Sequence, residues 1–306
     1  MNFKKIIFMG TPDYATTIFQ RVLEENYNVI ALFTQPDKSV GRSKELKYPH
    51  IKQFALDNGL SMPIYQPQSL KQISVIQTIK DLEPDIIIVA AYGKILPKEI
   101  LDIAPCVNLH ASLLPKYRGA SPIQQALLNN DKYTGITAMK MDVGLDDGDI
   151  LGMNYIKIDK DMVVAELFDK LASLAAKLTI DILENYNLIA PKKQNNALVS
   201  HCGKITKDNG LISFKDANEF YNRYRAYKSW PDIYLESKLK IKKCKLVENS
   251  SINIEAQILE INKENIIIGC KKGSILISEV QPNSKKQMKA VDYIRGKRLV
   301  VGDILS

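Results

Sequence analysis

Asn108, His110 and Asp146 are the residues whose types and spacing most directly suggest chemistry. The chain has only three histidines, and His110 closes the apolar run Cys106–His110, two residues after Asn108. Side chains two apart on a strand point to the same face. An amide and an imidazole therefore project side by side at a strand's carboxyl end, where open α/β sheets place their ligands. The Gly-flanked acidic stretch Gly144-Leu-Asp-Asp-Gly148 puts Asp146 thirty-six residues after His110. That interval holds a turn, a helix and another strand, so the carboxylate is expected to return to the same rim and meet the imidazole. Together the three groups offer hydrogen-bond donation and acid–base work. Singly, each also suits an ordinary role: a satisfied histidine, a turn-capping asparagine and a solvated acidic turn.

The elements that must position these groups follow from the hydrophobic pattern. Lys4 to Met9 reads as a strand, and Gly10-Thr-Pro breaks it before a helix capped by Thr11 with Pro12 in its first turn. Asn28–Phe33 is a second strand, and Pro49–Asn58 is helical with Gly59 just past its end. Ser69-Leu-Lys-Gln72 fits a capping box that opens a helix toward Leu82. Asp85–Ala91 is a near-continuous β-branched run, as for a strand buried on both faces. A helix over 122–129, a strand over 135–141 and a long helix over 161–184 follow. The expected fold is α/β, a Rossmann-like and mostly parallel sheet with helices on both faces. Residues 1–188 form this domain, and 189–206, with Pro191, Gly203 and no clear period, read as a linker. Over 207–306 one helix near 217–226 precedes five short runs, the spacing of a small β-barrel of the oligonucleotide-binding type.

Size and charge narrow the classes further. A chain of 306 residues suits two cores, and its 45% hydrophobic content is ordinary for a globular protein. No apolar run approaches the roughly 18–20 residues of a membrane span, so a cytoplasmic protein that avoids membranes is expected. Four cysteines without a Cys-x-x-Cys pair, beside three scattered histidines, give no metal spacing. The net charge of +8 is uneven: residues 207–306 hold 19 Lys plus Arg against 12 Asp plus Glu, while 1–206 hold 23 against 22. A basic final third suggests a polyanion partner, most commonly nucleic acid.

Asn-x-His-x-Ser-Leu-Leu-Pro-x-x-x-Gly over 108–119, with Asp146 beyond it, resembles the 10-formyltetrahydrofolate-dependent formyltransferases. Gly10-Thr-Pro-Asp-Tyr-Ala15, Thr34-Gln-Pro-Asp37, Tyr117-Arg-Gly-Ala-Ser-Pro-Ile123, Arg225-Ala-Tyr-Lys-Ser-Trp-Pro231 and Val280-Gln-Pro-Asn-Ser-Lys-Lys286 narrow the likeness to the tRNA branch. One departure is Ala111, where many members carry Gly. The resemblance implies a monomeric enzyme that moves a formyl group from 10-formyltetrahydrofolate to the amino group of initiator methionyl-tRNA, without a metal. It implies Asn108, His110 and Asp146 as the catalytic trio.

The resemblance also makes Ser112, Leu113, Leu114 and Pro115 a folate-binding turn, completed by Tyr92, Gly93, Ile95 and Leu96 and by Asp142, Val143 and Gly144. It matches Arg42 to an arginine near the tRNA acceptor end, in a polar loop that also carries Lys38 and Lys44. In the basic final third, Lys240 and Lys242 are alternates on one strand and candidate phosphate contacts. Rival readings are an enzyme formylating another amine, a dinucleotide-binding oxidoreductase and a non-catalytic RNA binder. Gly10-Thr-Pro-Asp-Tyr-Ala15 lacks the Gly-x-Gly-x-x-Gly spacing, and Pro12 removes an amide that a phosphate would need.

Overall fold

A computed structural model describes residues 5–40 and 45–305. The chain divides into two compact units, one drawn from 1–122, 133–157 and 168–202, the other from 123–132, 158–167 and 203–306. The boundary thus falls after Cys202, and most of the stretch read as a linker belongs to the first unit.

The first half runs β1 (Ile6–Gly10), α1 (Asp13–Glu24), β2 (Val29–Phe33), the short hairpin β3 (Lys38–Val40) and β4 (Glu45–Lys47), then α2 (His50–Asp57) and β5 (Ile64–Tyr65). α3 (Ile73–Asp81), β6 (Ile86–Ala90), α4 (Lys98–Leu101), β7 (Cys106–His110) and β8 (Arg118–Gly119) follow. α5 (Pro122–Leu128), β9 (Tyr133–Lys140), β10 (Ile150–Lys157), α6 (Val164–Asn185) and β11 (His201–Cys202) complete it. Seven strands form one sheet in the order β10-β9-β7-β6-β1-β2-β5. Pairs from β5 through β7 are parallel, while β7–β9 and β9–β10 are antiparallel. Every residue of β1 and β6 is buried, as central parallel strands covered on both faces require. α1 turns Tyr14, Ala15, Ile18, Phe19 and Val22 inward at helical spacing.

Two local expectations need correction. Thr11 does not cap α1: its hydroxyl donates to the Tyr92 carbonyl at 3.2 Å, and Pro12 occupies the cap position without a side-chain bond. Ser69 does not open α3, which begins at Ile73; the Ser69 hydroxyl instead accepts from the Lys71 N–H at 3.2 Å, a local turn that competes with helix. β10 is an edge strand, with Met153 and Tyr155 exposed.

The second unit is built on α7 (Ala217–Tyr227) and strands β12 (Ile233–Tyr234), β13 (Lys240–Glu248), β14 (Ile258–Ile261), β15 (Ile266–Gly269), β16 (Ser274–Gln281) and β17 (Met288–Lys289), followed by α8 (Ala290–Lys297). The strands make one antiparallel sheet, β12-β13-β16-β15-β14, with β17 on β16. Asp216 caps α7 by accepting from the Asn218 and Glu219 amides. Phe220, Tyr221, Tyr224 and Tyr227 are buried along that helix, so these rings are core, whereas Trp230 is 56% exposed. α7 packs on β13 and α8 on β16.

Candidate active site

β7 presents Asn108 and His110 from one face, as its period dictates. His110 is buried, and its Nε2 lies 2.9 Å from the Tyr117 carbonyl oxygen. A carbonyl can only accept, so Nε2 carries a hydrogen and Nδ1 is left facing the site. The Tyr14 hydroxyl donates to the Leu109 carbonyl at 3.1 Å and ties the strand between them to α1.

β9 runs antiparallel to β7, with Val107 opposite Lys140 and His110 opposite Thr137. A strand in that direction ends at the far rim, and the 141–149 loop folds back to bring Asp146 to the imidazole, the meeting that was expected. Asp146 Oδ2 comes to 3.6 Å from His110 Nδ1, and Oδ1 to 3.5 Å from Asn108 Nδ2. Its carboxylate is 12% exposed and accepts the Gly119 N–H on Oδ2 at 2.8 Å. Asp146 holds φ +50°, a left-handed state that aspartate tolerates better than most residues. Gly119 has φ +121°, and a Cβ there would sit 2.2 Å from the Cys202 carbonyl oxygen, so only glycine brings this amide to the carboxylate.

The turn after β7 is held from inside. Ser112 Oγ donates to the Lys116 carbonyl at 2.6 Å. Thr137 Oγ1 donates to the Ser112 carbonyl at 2.7 Å and accepts the Leu114 N–H at 3.0 Å. Ser112 and Leu114 are therefore framework, while Leu113 and Pro115 are half-buried. The Tyr92 ring and Leu96 belong to the core cluster beneath the sheet rather than to an open slot. Burial raises the Tyr92 phenol, whose hydroxyl has no hydrogen-bond partner. Gly93, Asp142 and Gly144 are exposed, as are Ile95 (78%) and Val143 (61%), so two sizeable apolar side chains stand in solvent on loops of this unit.

The candidate cations separate. Lys38 is exposed on β3, and Arg42 and Lys44 lie outside the described residues. Lys240 and Lys242 converge on one carboxylate, with Nζ atoms 3.1 and 2.8 Å from Asp232. Among the described residues no group of three or more His, Cys, Asp or Glu could hold a metal ion, and no helix is long and apolar enough to cross a membrane.

Pattern reading missed Gln194 and Arg118. Gln194 Nε2 donates to the Asp146 carbonyl at 2.9 Å and to the Gly148 carbonyl at 2.8 Å. Its Oε1 accepts from Arg118 Nε and Nη2 at 3.1 and 2.8 Å. β8 pairs in parallel with β11, and Ser200 accepts the Tyr117 N–H on Oγ and the Arg118 N–H on its carbonyl. A lone glutamine in a polar, aperiodic stretch carries no pattern that would have marked it. Burial pushes the neighbouring Cys202 thiol up; hydrogen bonding from Ser121 opposes this and the Asp146 charge adds to it.

Comparison with known proteins places this geometry. Residues 4–183 match the Formyl transferase family and 204–298 match the Formyl transferase, C-terminal domain family. The class is therefore a formyl-group transferase with an added C-terminal domain. The methionyl-tRNA formyltransferase of Nitratiruptor sp. is 53% identical over 299 residues, 98% of this chain and 99% of that one. That of Sulfurimonas denitrificans is 52% identical over 303 residues, 99% and 100% of the two chains. An N-formyltransferase from Helicobacter canadensis, solved with folinic acid and dTDP-3-aminofucose, superposes with a TM-score of 0.67 at 20% identity, covering 91% of this chain and 100% of that one, and shares the fold. The chain belongs to the methionyl-tRNA formyltransferase family.

Proposed function

We propose that the chain transfers a formyl group from 10-formyltetrahydrofolate to the amino group of methionine on initiator methionyl-tRNA, and so supports translation initiation. The observation that carries this reading is identity of about one residue in two with methionyl-tRNA formyltransferases along both full lengths. The site is consistent with it. The donor supplies an electrophilic formyl carbon, and the attacking amine must lose a proton while the departing N10 gains one.

Asn108 Nδ2 donates to the oxygen that turns negative when the C–N bond forms, a contribution of about 3 kcal/mol for one well-placed donor. Asp146 Oδ1 accepts the proton that the amine releases. His110, oriented by its Nε2–H bond to Tyr117, holds at Nδ1 the proton that N10 takes as the old C–N bond breaks. The substrate amine is the nucleophile, so no side chain needs to be one. Ile95, Val143 and Leu113 suit the flat rings of a folate, since covering apolar surface is worth about 25 cal/mol per Å². The backbone of Gly93, Asp142 and Gly144 completes that wall. The side chains of Ser112, Leu114, Tyr92 and Leu96 act from behind it by holding the turns.

We assign catalysis to residues 1–188 and tRNA binding to the basic 207–306, with Lys38, Arg42 and Lys44 near the acceptor end and Lys240 and Lys242 as a pair partly neutralised by Asp232. We read the protein as a cytoplasmic monomer. The test is incubation of the purified chain with 10-formyltetrahydrofolate and methionyl initiator tRNA, with free methionine as the control acceptor. Formyl-methionine on the tRNA alone is expected. No product, or equal formylation of free methionine, would overturn the assignment.

A further inference from the structure

We infer that Gln194 and Arg118 are positioning residues that set the orientation of the Asp146 carboxylate for proton transfer. This rests on the reading of Asp146 as the proton acceptor. The hydrogen bonds around Asp146 form a closed circuit. Asp146 is grasped twice: its carboxylate by the Gly119 N–H at 2.8 Å, and its main-chain carbonyl by Gln194 Nε2 at 2.9 Å. Both grips lead back to adjacent residues. Gln194 Oε1 takes two N–H bonds from Arg118, the residue next to Gly119. One tether therefore acts on the side chain and one on the backbone, and both start from a single dipeptide. A side chain held by one end can swing; one held at both ends has its χ1 and its peptide plane set together.

The circuit also answers a local problem. Asp146 sits at φ +50° in a hairpin loop with Gly144, Leu145 and Asp147 exposed on either side. Such a loop has no core of its own to keep one shape. Gln194 supplies the missing constraint by bonding the carbonyls of both Asp146 and Gly148 with one amide. Gln194 and Arg118 are themselves buried at 9% and 8% exposure, so water does not compete for these bonds. The Arg118-Gly119 dipeptide is anchored in turn by its parallel pairing with His201 and Cys202. Neither Gln194 nor the guanidinium of Arg118 bonds the Asp146 carboxylate, so their action is through geometry.

Charge separates this role from simple loop bracing. Gln194→Glu keeps the oxygen that Arg118 binds but turns the two-donor end into an acceptor facing two carbonyl oxygens. Gln194→Met keeps the length and loses both ends. Steady-state formyl transfer to methionyl-tRNA by these variants, Arg118→Lys, Asp146→Ala and the double variant Asp146→Ala/Gln194→Met is the test, with circular dichroism and Tm as fold controls. Gln194→Met and Gln194→Glu are each expected to lower kcat by about 10–100-fold, the scale of a displaced catalytic group. KM for either substrate should change less than about threefold, and the double variant should be no slower than Asp146→Ala alone. If Gln194→Met fails to fold, Gln194→Glu and Arg118→Lys carry the same test. Near-wild-type kcat in Gln194→Glu, or losses that multiply in the double variant, would overturn the positioning role while leaving Asp146 in place. Wild-type rates in Asp146→Ala would instead remove the reading on which this inference stands.

Discussion

Asp146 and Asp232 are the same residue in the same uncommon backbone state, and their surroundings differ in the charge that meets them. Their φ angles are +50° and +65°, and their side chains are 12% and 10% exposed. Around Asp146 the bonded donor is neutral, the Gly119 amide, with the Asn108 amide and His110 Nδ1 at 3.5 and 3.6 Å. Its one short bond is thus to a backbone dipole rather than to a fixed charge. Around Asp232 two ammonium groups close in at 2.8 and 3.1 Å and offset that charge. The first arrangement suits chemistry, and the second fastens the Trp230–Asp232 corner to β13. The functional difference lies in what donates to the carboxylate, which residue type alone does not reveal.

That contrast can be broken by mutation. The largest effects belong to the first carboxylate and its partner: Asp146→Ala and His110→Ala should each lower kcat by at least about 10²-fold with an unchanged thermal transition. Rates near wild type in either would end the catalytic assignment. At the second carboxylate activity should survive and stability should fall. Asp232→Ala is expected to lose about 1–3 kcal/mol in urea unfolding, because it leaves two lysines without their buried partner and puts Ala at a left-handed φ. Asp232→Gly should recover about 1 kcal/mol of that by removing the Cβ penalty. Equal losses for Ala and Gly would show that the backbone state carries no cost there.

The smallest expected effect concerns tRNA. Lys240→Ala or Lys242→Ala should each reduce the slope of log affinity against log salt by less than about 0.9, the value for one fully engaged cation. Asp232→Ala should steepen that slope by freeing both ammonium groups. A full unit lost on removing either lysine would mean that Asp232 does not restrain them in the complex.

Much of the site was legible because its signals are local. β7 occupies the Cys106–His110 run as read, since an apolar run closed by polar residues at a period of two leaves little choice. β16, at Ser274–Gln281, likewise falls on one of the five short runs of the final third. That Tyr92 and Leu96 are buried in the core cluster could not be read, because a sequence does not say which side of a strand-end loop meets the core. α8 was missed because its apolar face, Ala290, Val291 and Ile294, is short and its cap, Lys289, makes no side-chain bond. Gln194 was invisible because its partners are 46, 48 and 76 residues away.

The amino-acid order alone settled the central strands β1, β2, β6 and β7, the placement of Asn108 and His110 on one face and the basic character of the final third, because periodicity and composition are properties of neighbouring residues. Only the tertiary structure decided that β9 runs antiparallel, that the 141–149 loop must fold back to deliver Asp146, and that Gln194 and Arg118 hold it there. Those outcomes depend on hydrogen bonds between residues far apart in the chain, whose partners exist only once the sheet has formed.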